Sequence, residues 1–566
     1  MATGNWKGKA ARRWASRYFR CGLALAGALT AVTPTLAQQP GAPANSESAG
    51  KWGASLDLEG KLGTGRKLGE ADLFLPLAQD ESTLLFGDVR TRFDDADSRE
   101  GNFGLGVRQM FGGGWNLGAY GYFDRRRSPY GHTFDQLTFG AEALGRDLDV
   151  RVNSYWPIGE TAKPVDNLST ATLYGTKVIF RGGEEKALRG FDAELGWRVP
   201  VFAVEGPIDL RVYAGVFTFD AGDVLDMPNV TGSRLRAELV GYDLPELGAG
   251  TRVTLGAEWQ HDEARGSQGL LSFRLRIPLQ SEMQRSRRLT AQERRMTAPI
   301  VRDVDVVTEA GAFGAPEIVT QTADGSPITV LSSASTTGAN LPTAVTAAGA
   351  NSTVILRGSF TTNSNATGIV TLSSGQTLMG AGNLSVRAPS GRTAVLTTPT
   401  ATITGNVGST NSTVMMANNS TLTGMTVNNT DATSWNAGGV LATGVSGARI
   451  TNNTITATQT GFGTAHALDI LSSASNVMVS GNTLTAVSPN SFVALALQVG
   501  SSSATVTRNT LSATGLAPSF ANHTRLNNAN ILTGSSGNTV KAGSCSVVAA
   551  GSGTTVTYTN AAACGP

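Results

Sequence analysis

Beyond residue 320 this chain holds only three carboxylates, Asp324, Asp431 and Asp469, and His466 stands three positions before the last of them. Glycosidic hydrolysis asks for two carboxyl groups facing one bond. A general base asks for a titrating group within reach of the proton it takes. Asp431, His466 and Asp469 are therefore the whole stock from which the second half could build a catalytic centre. Asp431 and Asp469 have no acidic neighbours in sequence, and a His and Asp three apart read more simply as a turn or surface contact. No His, Cys, Asp and Glu cluster has metal-ligand spacing. The glycine-rich run "GKLGTGRKLG" at 60–69 lacks the order of a phosphate-binding loop. The expectation is no catalytic residue, no cofactor site and no metal.

The charges of the first half fall in another pattern. In "QLTFGAEA", Leu137, Phe139, Ala141 and Ala143 alternate with Gln136, Thr138, Gly140 and Glu142. The same beat sets Asp149 and Arg151 against Leu148, Val150 and Val152, and Arg236 and Glu238 against Leu235, Ala237 and Leu239. Glu258 alternates with Ala257 and Trp259, and Arg274 and Arg276 with Phe273, Leu275 and Ile277. Period two means strands with one apolar and one charged face. A soluble sandwich or a membrane barrel could carry them. Strands of about ten residues, full charges of both signs on one face, and connections that alternate between tight turns and long polar loops favour a barrel with a hydrated lumen. About twelve strands are expected, starting near Trp52, Gly69, Ser82, Asn102, Trp115, Phe134, Leu148, Arg189, Ile208, Ser233, Thr251 and Gly269. The segment 157–188 reads as an elaborated loop. The lumen-facing charges are then Glu142, Asp149, Arg151, Arg236, Glu238, Glu258, Arg274 and Arg276.

These strands occupy residues 51–279 of 566. Ahead of them, a basic stretch, an apolar run at 21–32 and "TLA" then "QQ" read as a signal peptide over 1–37, cut between Ala37 and Gln38. Residues 38–50 are a short periplasmic Pro/Gly/Ser linker. An exported chain meets oxidising conditions, so Cys545 and Cys564 are expected to pair. A net charge of +2 points to no nucleic-acid partner.

Four blocks, 72–94, 101–124, 138–159 and "RRMTAPIVRDVDVVT" at 294–308, resemble the barrel of inverse autotransporters, the intimin and invasin group. The resemblance implies a twelve-stranded outer-membrane barrel with both ends periplasmic. A connector, 280–310, would return through the pore and present the C-terminal region at the cell surface. Pro299, Ile300, Val301, Arg302 and Asp303 fall where the family leaves the pore. The basic stretch 281–296 is helix-compatible and could plug the lumen against Glu142, Glu238 and Glu258. Outer-membrane lipid, barrel-assembly machinery and periplasmic chaperones are the partners expected.

Within the C-terminal domain read over 320–566, residues 350–566 carry a repeat. "ITNNTITAT", "VSGNTLTAV", "VTRNTLSAT" and "SSGNTVKAG" place Asn453, Asn482, Asn509 and Asn538 at spacings of 29, 27 and 29, with Met425 one period earlier. This reads as a parallel β-helix, with "VTLSSGQTLMGAGN" at 370–383 resembling early rungs of pectin-lyase-like folds. Each Asn is expected at a left-handed turn, its amide stacked on the next, with Val427, Ile455, Leu484, Leu511 and Val540 stacked inside. The chain thus reads as all-β, a transmembrane antiparallel barrel plus a C-terminal parallel β-helix. Its expected role is to translocate and display that β-helix for adhesion to an extracellular glycan or protein. A carbohydrate-active β-helix enzyme and a porin-like channel with a periplasmic tail are the other readings.

Overall fold

A computed structural model describes residues 50–565 except 221, 223–226, 228, 244–247, 264–265, 281–288, 304, 406–411, 434 and 491–492. The signal-peptide and linker readings, with Ala37 and Gln38, lie outside the described residues, as does 281–288 of the connector.

The first half is strand after strand: β1 (Ser55–Gly63), β2 (Lys67–Gln79), β3 (Thr83–Asp94), β4 (Arg99–Phe111), β5 (Trp115–Arg127), β6 (Thr133–Leu144) and β7 (Leu148–Ile158). Four short strands follow, β8 (Ala162–Pro164), β9 (Thr170–Tyr174), β10 (Lys177–Arg181) and β11 (Glu184–Ala187). Then come β12 (Arg189–Arg198), β13 (Ile208–Asp220), β14 (Val230–Tyr242), β15 (Arg252–Asp262) and β16 (Gly266–Pro278). β1–β7 and β12–β16 close into an antiparallel barrel of twelve strands, β1 pairing with β16 from Ser55 opposite Pro278 to Gly63 opposite Leu270. Closure leaves no unpaired edge, the condition for strands to lie in hydrocarbon. Strand starts differ from the sequence expectation by at most three residues, because polar loop ends such as Arg99 and Val230–Gly232 continue the ladder. The 60–69 run is the β1–β2 hairpin.

The pleat sorts the faces. Phe103, Leu105, Val107, Val150, Val152 and Leu271 point outward and exposed, while Asp88, Asn102, Arg108, Asp124 and Asp149 are buried inside. Trp197 stands outward near the mouth that carries the tight turns, and Trp156 and Trp259 near the mouth that carries the long loops. Aromatics at both rims and apolar residues between them suit a lipid band.

Past the barrel, helix α1 (Ala291–Arg295) precedes an extended run, then β17 (Thr308–Gly311), β18 (Pro316–Val319) and β19 (Gln321–Thr322). A second helix, α2 (Leu341–Ala347), covers the first turn of a stack of parallel strands with Leu341 and Val345 buried. That stack is a β-solenoid of about seven turns. One of its faces runs Val370–Thr371, Val414–Met415, Asn436–Thr443, Thr464–Leu471, Val493–Gly500, Ala521–Asn527 and Ser544–Ala549. Its interior is apolar: Val427, Ile455, Leu484 and Leu511 lie in register and fully buried, with Val540 next in line and less covered. A disulfide joins Cys545 to Cys564 across the last turn, Cα atoms 5.7 Å apart.

One hairpin, Gly382–Arg387 with Thr393–Thr398, leaves the stack where a turn should continue. It joins a six-stranded sheet with β18, β10, β9 and β19. Past Ile158, which still pairs in the barrel, the 157–188 segment stays outside it and gives strands to two small sheets shared with the chain that follows the barrel. Ala171, Val178 and Phe180 from this loop close a buried cluster with Val330, Ile355, Met379 and Leu396 of the first solenoid turn.

Candidate functional site

The lumen is filled by the chain that follows the barrel. At the turn-side mouth, Thr290 and Glu293 form a reciprocal capping box that starts α1, satisfying donors a short helix would otherwise leave open. The helix is tied down from several directions. Trp52 Nε1 donates to the Glu293 carbonyl at 2.9 Å, and Lys51 meets the Glu293 carboxylate at 2.5 Å. Asn116 donates to the Gln292 carbonyl at 2.9 Å, and Arg295 pairs with Asp149.

From Met296 the chain is extended, and the barrel satisfies its backbone. Arg108 donates to the carbonyls of Met296 and Ala298 at 2.8 and 2.7 Å, and Arg276 to that of Thr297 at 2.6 Å. Asn153 donates to the Val301 carbonyl at 3.2 Å. The Asp303 N–H donates to Tyr155 Oη at 2.6 Å, and the Val306 N–H to Glu100 at 3.0 Å. An extended strand with no ladder partner must place its buried peptide groups somewhere; here lumen side chains take them. Met296 and Ile300 pack with Trp52, Phe74, Phe86, Tyr120 and Tyr122. Arg302 pairs with Asp124 at 2.9 Å, and Asp305 is held by Arg66 and Arg92. Pro299 sits half-buried between the Ala298 and Ile300 contacts. At the loop-side mouth the Leu188 N–H donates to the Val307 carbonyl at 2.9 Å, and β17 adds to β11 and β8 as a third strand. The cavities beside the connector are small, about 80 and 50 Å³.

The charges read from sequence meet partners that sequence did not name. Glu142 pairs with Arg108 at 2.5 Å, and Arg151 with Glu194 at 3.0 Å. Asp149 takes Arg211 at 3.2 Å. Arg236 bridges Glu194 and Glu238. Arg274 pairs with Glu59 at 2.6 Å and Arg276 with Asp57 at 2.7 Å. Glu258 lines the smaller cavity beside Arg234 and Arg236. Among the described residues, the connector's Arg294, Arg295 and Arg302 therefore meet Glu205, Asp149 and Asp124 rather than Glu142, Glu238 and Glu258. Those three face barrel arginines first, since neighbouring strands put them within a side chain's reach. Only five residues of the expected plug helix are helical among those described.

In the solenoid the four asparagines form a continuous buried ladder. The backbone N–H of Asn453 donates to Asn482 Oδ1, that of Asn482 to Asn509 Oδ1 and that of Asn509 to Asn538 Oδ1, each at 2.9 Å. Each amide also donates to a carbonyl one turn back, Leu422, Ile450, Val479 and Val506 in order. The Met425 N–H donates to Asn453 Oδ1 and ends the row. The left-handed residue is the one before each ladder position: Gly424, Asn452, Gly481, Arg508 and Gly537. That corrects the expectation that the ladder asparagines themselves turn the chain. An amide aimed into the core needs extended backbone, so its predecessor takes the corner.

His466 lies on the solenoid face described above. Its Nδ1 meets Asp469 Oδ2 at 2.9 Å and its Nε2 meets Thr464 Oγ1 at 3.0 Å. Burial works against the charged ring, but the Asp469 carboxylate outweighs it and raises the pKa. A ring with both nitrogens engaged is poorly placed to shuttle a proton. Asp431 accepts from Gln459 at 3.3 Å and from the Thr433 N–H at 3.1 Å, which closes its own loop. Asp324 accepts from Thr322 in a separate tight turn.

Residues 49–222 match the family model of the inverse autotransporter β-domain, and residues 340–489 that of a protein of unknown function, DUF1565. No curated protein matches the chain. Among solved structures, a barrel from a study of in-meso crystallization of membrane proteins is 18% identical, covering 46% of this chain and 100% of its own, with a TM-score of 0.35. The β domain of the Bordetella autotransporter Brka is 11% identical over 40% of this chain and 97% of its own, TM-score 0.22. The KdgM porin is 8% identical over 39% and 97%, TM-score 0.23.

Proposed function

We propose that this chain, an inverse autotransporter β-domain of the Gram-negative outer membrane joined to a β-solenoid, carries that solenoid to the cell surface and holds it there as an adhesin. The observation that carries the reading is the connector: it runs from α1 at the turn-side mouth to β17 at the loop-side mouth, with barrel groups satisfying it throughout. In outer-membrane barrels short turns face the periplasm and long loops the outside. The solenoid, which starts at the loop-side mouth, is then extracellular. The barrel's task is translocation and anchoring, with no chemical step. The solenoid's task is contact: its surface is nearly uncharged, so binding rests on repeated polar contacts and on many copies per cell rather than on electrostatic steering. Barrel-assembly and chaperone machinery bring the chain to the membrane.

Protease shaving of intact cells carrying an epitope tag after Pro566 tests display. Loss of the tag, with a barrel-sized fragment left in the outer membrane, is the expected result. A tag that survives until the outer membrane is permeabilised would place the solenoid in the periplasm and end this reading.

A further inference from the structure

The corner that leads into the His466 face carries large apolar side chains where a soluble protein normally keeps none. Trp435 is 78% exposed, Phe462 is 82% exposed and Phe520 is 39% exposed. Each stands just before the strand that opens the same face, at Asn436–Thr443, Thr464–Leu471 and Ala521–Asn527. The corner loops are stacked on one another. The Thr460 N–H donates to the Asp431 carbonyl at 2.8 Å, and the Thr464 N–H to the Trp435 carbonyl at 2.7 Å. Asn490 Nδ2 donates to the Thr460 carbonyl at 2.8 Å, and Ser488 Oγ to the Gly463 carbonyl at 2.9 Å. Gly461 and Gly463 permit this approach, since a Cβ there would fall 2.2 Å from the Ala432 carbonyl oxygen and 2.3 Å from that of Trp435. Trp435 and Phe462 therefore stand as a ridge on adjacent turns, their backbones one ~4.8 Å strand repeat apart, and Phe520 stands at the same face two turns further on.

Beside the ridge runs a row of hydrogen-bonding groups. Thr464 donates to Asn436, and His466 lies two residues further along the strand. Asp469, Gln498 and Arg525 are in register on three successive turns. The His466–Asp469 pair cancels its own charge, which leaves Arg525, in register with Gln498, as the cation of this row.

We infer that this ridge and row form a binding site for a linear, largely uncharged polysaccharide lying along the solenoid axis. The aromatic faces would stack on sugar rings, and the polar row would take the hydroxyls. A protein partner would want a contiguous apolar patch with a desolvated centre; here Trp435 and Phe462 border a row of hydrogen-bonding side chains, Asn436, Thr464, His466 and Asp469. An anionic chain would want a line of cations; this one has Arg525. The inference rests on the surface-display reading and gives its adhesion a ligand class.

The test uses cells displaying the full-length chain. Their retention is measured on immobilised β-glucan, xylan, galactomannan and arabinan, against cells carrying residues 1–310 alone. Trp435→Ala with Phe462→Ala should lower retention on at least one polymer by more than about tenfold, while Trp435→Phe with Phe462→Tyr keeps most of it. Val395→Ser, which alters an exposed apolar residue of the hairpin that leaves the stack, should change nothing. Equal shaving resistance of all variants establishes that they fold. Retention that survives the alanine pair overturns the site and leaves adhesion standing. Retention on a host-cell layer that withstands periodate oxidation of its sugars, but is lost with the alanine pair, overturns the ligand class in favour of a protein. Full-length cells that bind no better than barrel-only cells on polymers and cell layers alike overturn adhesion itself.

Discussion

The barrel and the solenoid are both built from alternating strands, yet their interiors are opposites. The barrel turns its charges inward, where Arg108, Glu142, Asp149, Arg151 and Glu194 neutralise one another and the connector's peptide groups find donors and acceptors. The solenoid turns Val427, Ile455, Leu484 and Leu511 inward and admits polar atoms only as the asparagine ladder and a few fully bonded groups. The same period-two pattern serves both because each face goes to the solvent that matches it: lipid takes the barrel's apolar face and water takes the solenoid's Thr and Ser. An interior of ion pairs can accommodate a polypeptide of almost any sequence passing through it, whereas a dry stack accepts only residues that fit their turn.

The strongest way to break this comparison is to empty the lumen. Deleting residues 289–566 should convert a closed protein into an open pore, because the closed strand ladder fixes the width of the barrel and Met296 and Ile300 leave the aromatic cluster they fill. Planar-bilayer recordings should rise from near silence to porin-like conductance, a change on the order of a hundredfold or more. A truncated barrel that stays silent would mean the lining closes on itself, and the connector would lose its role as plug.

The ion pairs can be tested singly. Arg108→Met leaves Glu142 with Arg151 at 3.7 Å and removes the donors to Met296 and Ala298. Stranding a buried charge costs about 3–5 kcal/mol, whereas removing both partners costs far less. Heat-modifiability and urea midpoints in detergent should fall clearly for Arg108→Met and partly recover in Arg108→Met with Glu142→Leu. Failure to recover would show that Arg108 acts mainly through the connector carbonyls.

In the solenoid the corresponding change is Asn509→Ala. It removes the acceptor of the Asn482 N–H and the donor to the Val479 carbonyl. Two buried backbone groups left open cost roughly 2–4 kcal/mol in sum. The solenoid's melting transition should drop while the barrel's stays in place. Asn538→Ala should lower the solenoid's transition by a similar amount, since it removes the acceptor of the Asn509 N–H and the donor to the Val506 and Thr557 carbonyls.

How far these interiors could be read from sequence follows from the same contrast. Periodicity gave away the strands, the lumen-facing charges and the ladder asparagines, because each is a local pattern. Partners across strands were hidden. Arg108 meets Glu142 only through the stagger of β4, β5 and β6, which no single strand encodes. The left-handed corners were visible in retrospect as the Gly or Asn before each ladder position, with Arg508 the one exception that blurs the column. The 382–398 hairpin was legible only as a missing period. Its docking on β9 and β10 joins residues some 220 positions apart, such as Leu396 and Ala171, with no local signal at all. The exposed aromatics at 435 and 462 recur at nearly the ladder's own spacing.

The smallest effects concern protons, and they run in opposite directions within one solenoid. His466 is raised, burial opposing the charge but Asp469 prevailing, with Arg525 the nearby cation acting against it. Its contribution to stability is full below the unfolded value of about 6.5 and is lost as pH climbs through the higher folded value. His523 is lowered to about 4 by burial, against Tyr558 and hydrogen-bonded to Thr524. Its contribution is present above the unfolded value and is lost as pH falls from about 6.5 towards 4. Melting the solenoid at pH 4.5, 6.5 and 8.5, His466→Gln should flatten the alkaline loss and leave the acid loss, and His523→Gln should do the reverse. Asp469→Asn should reproduce His466→Gln without adding to it, because the two groups form one pair. If the alkaline loss persists in both variants, some other group in the solenoid is releasing the proton, and the His466–Asp469 contact is not the ion pair its geometry describes.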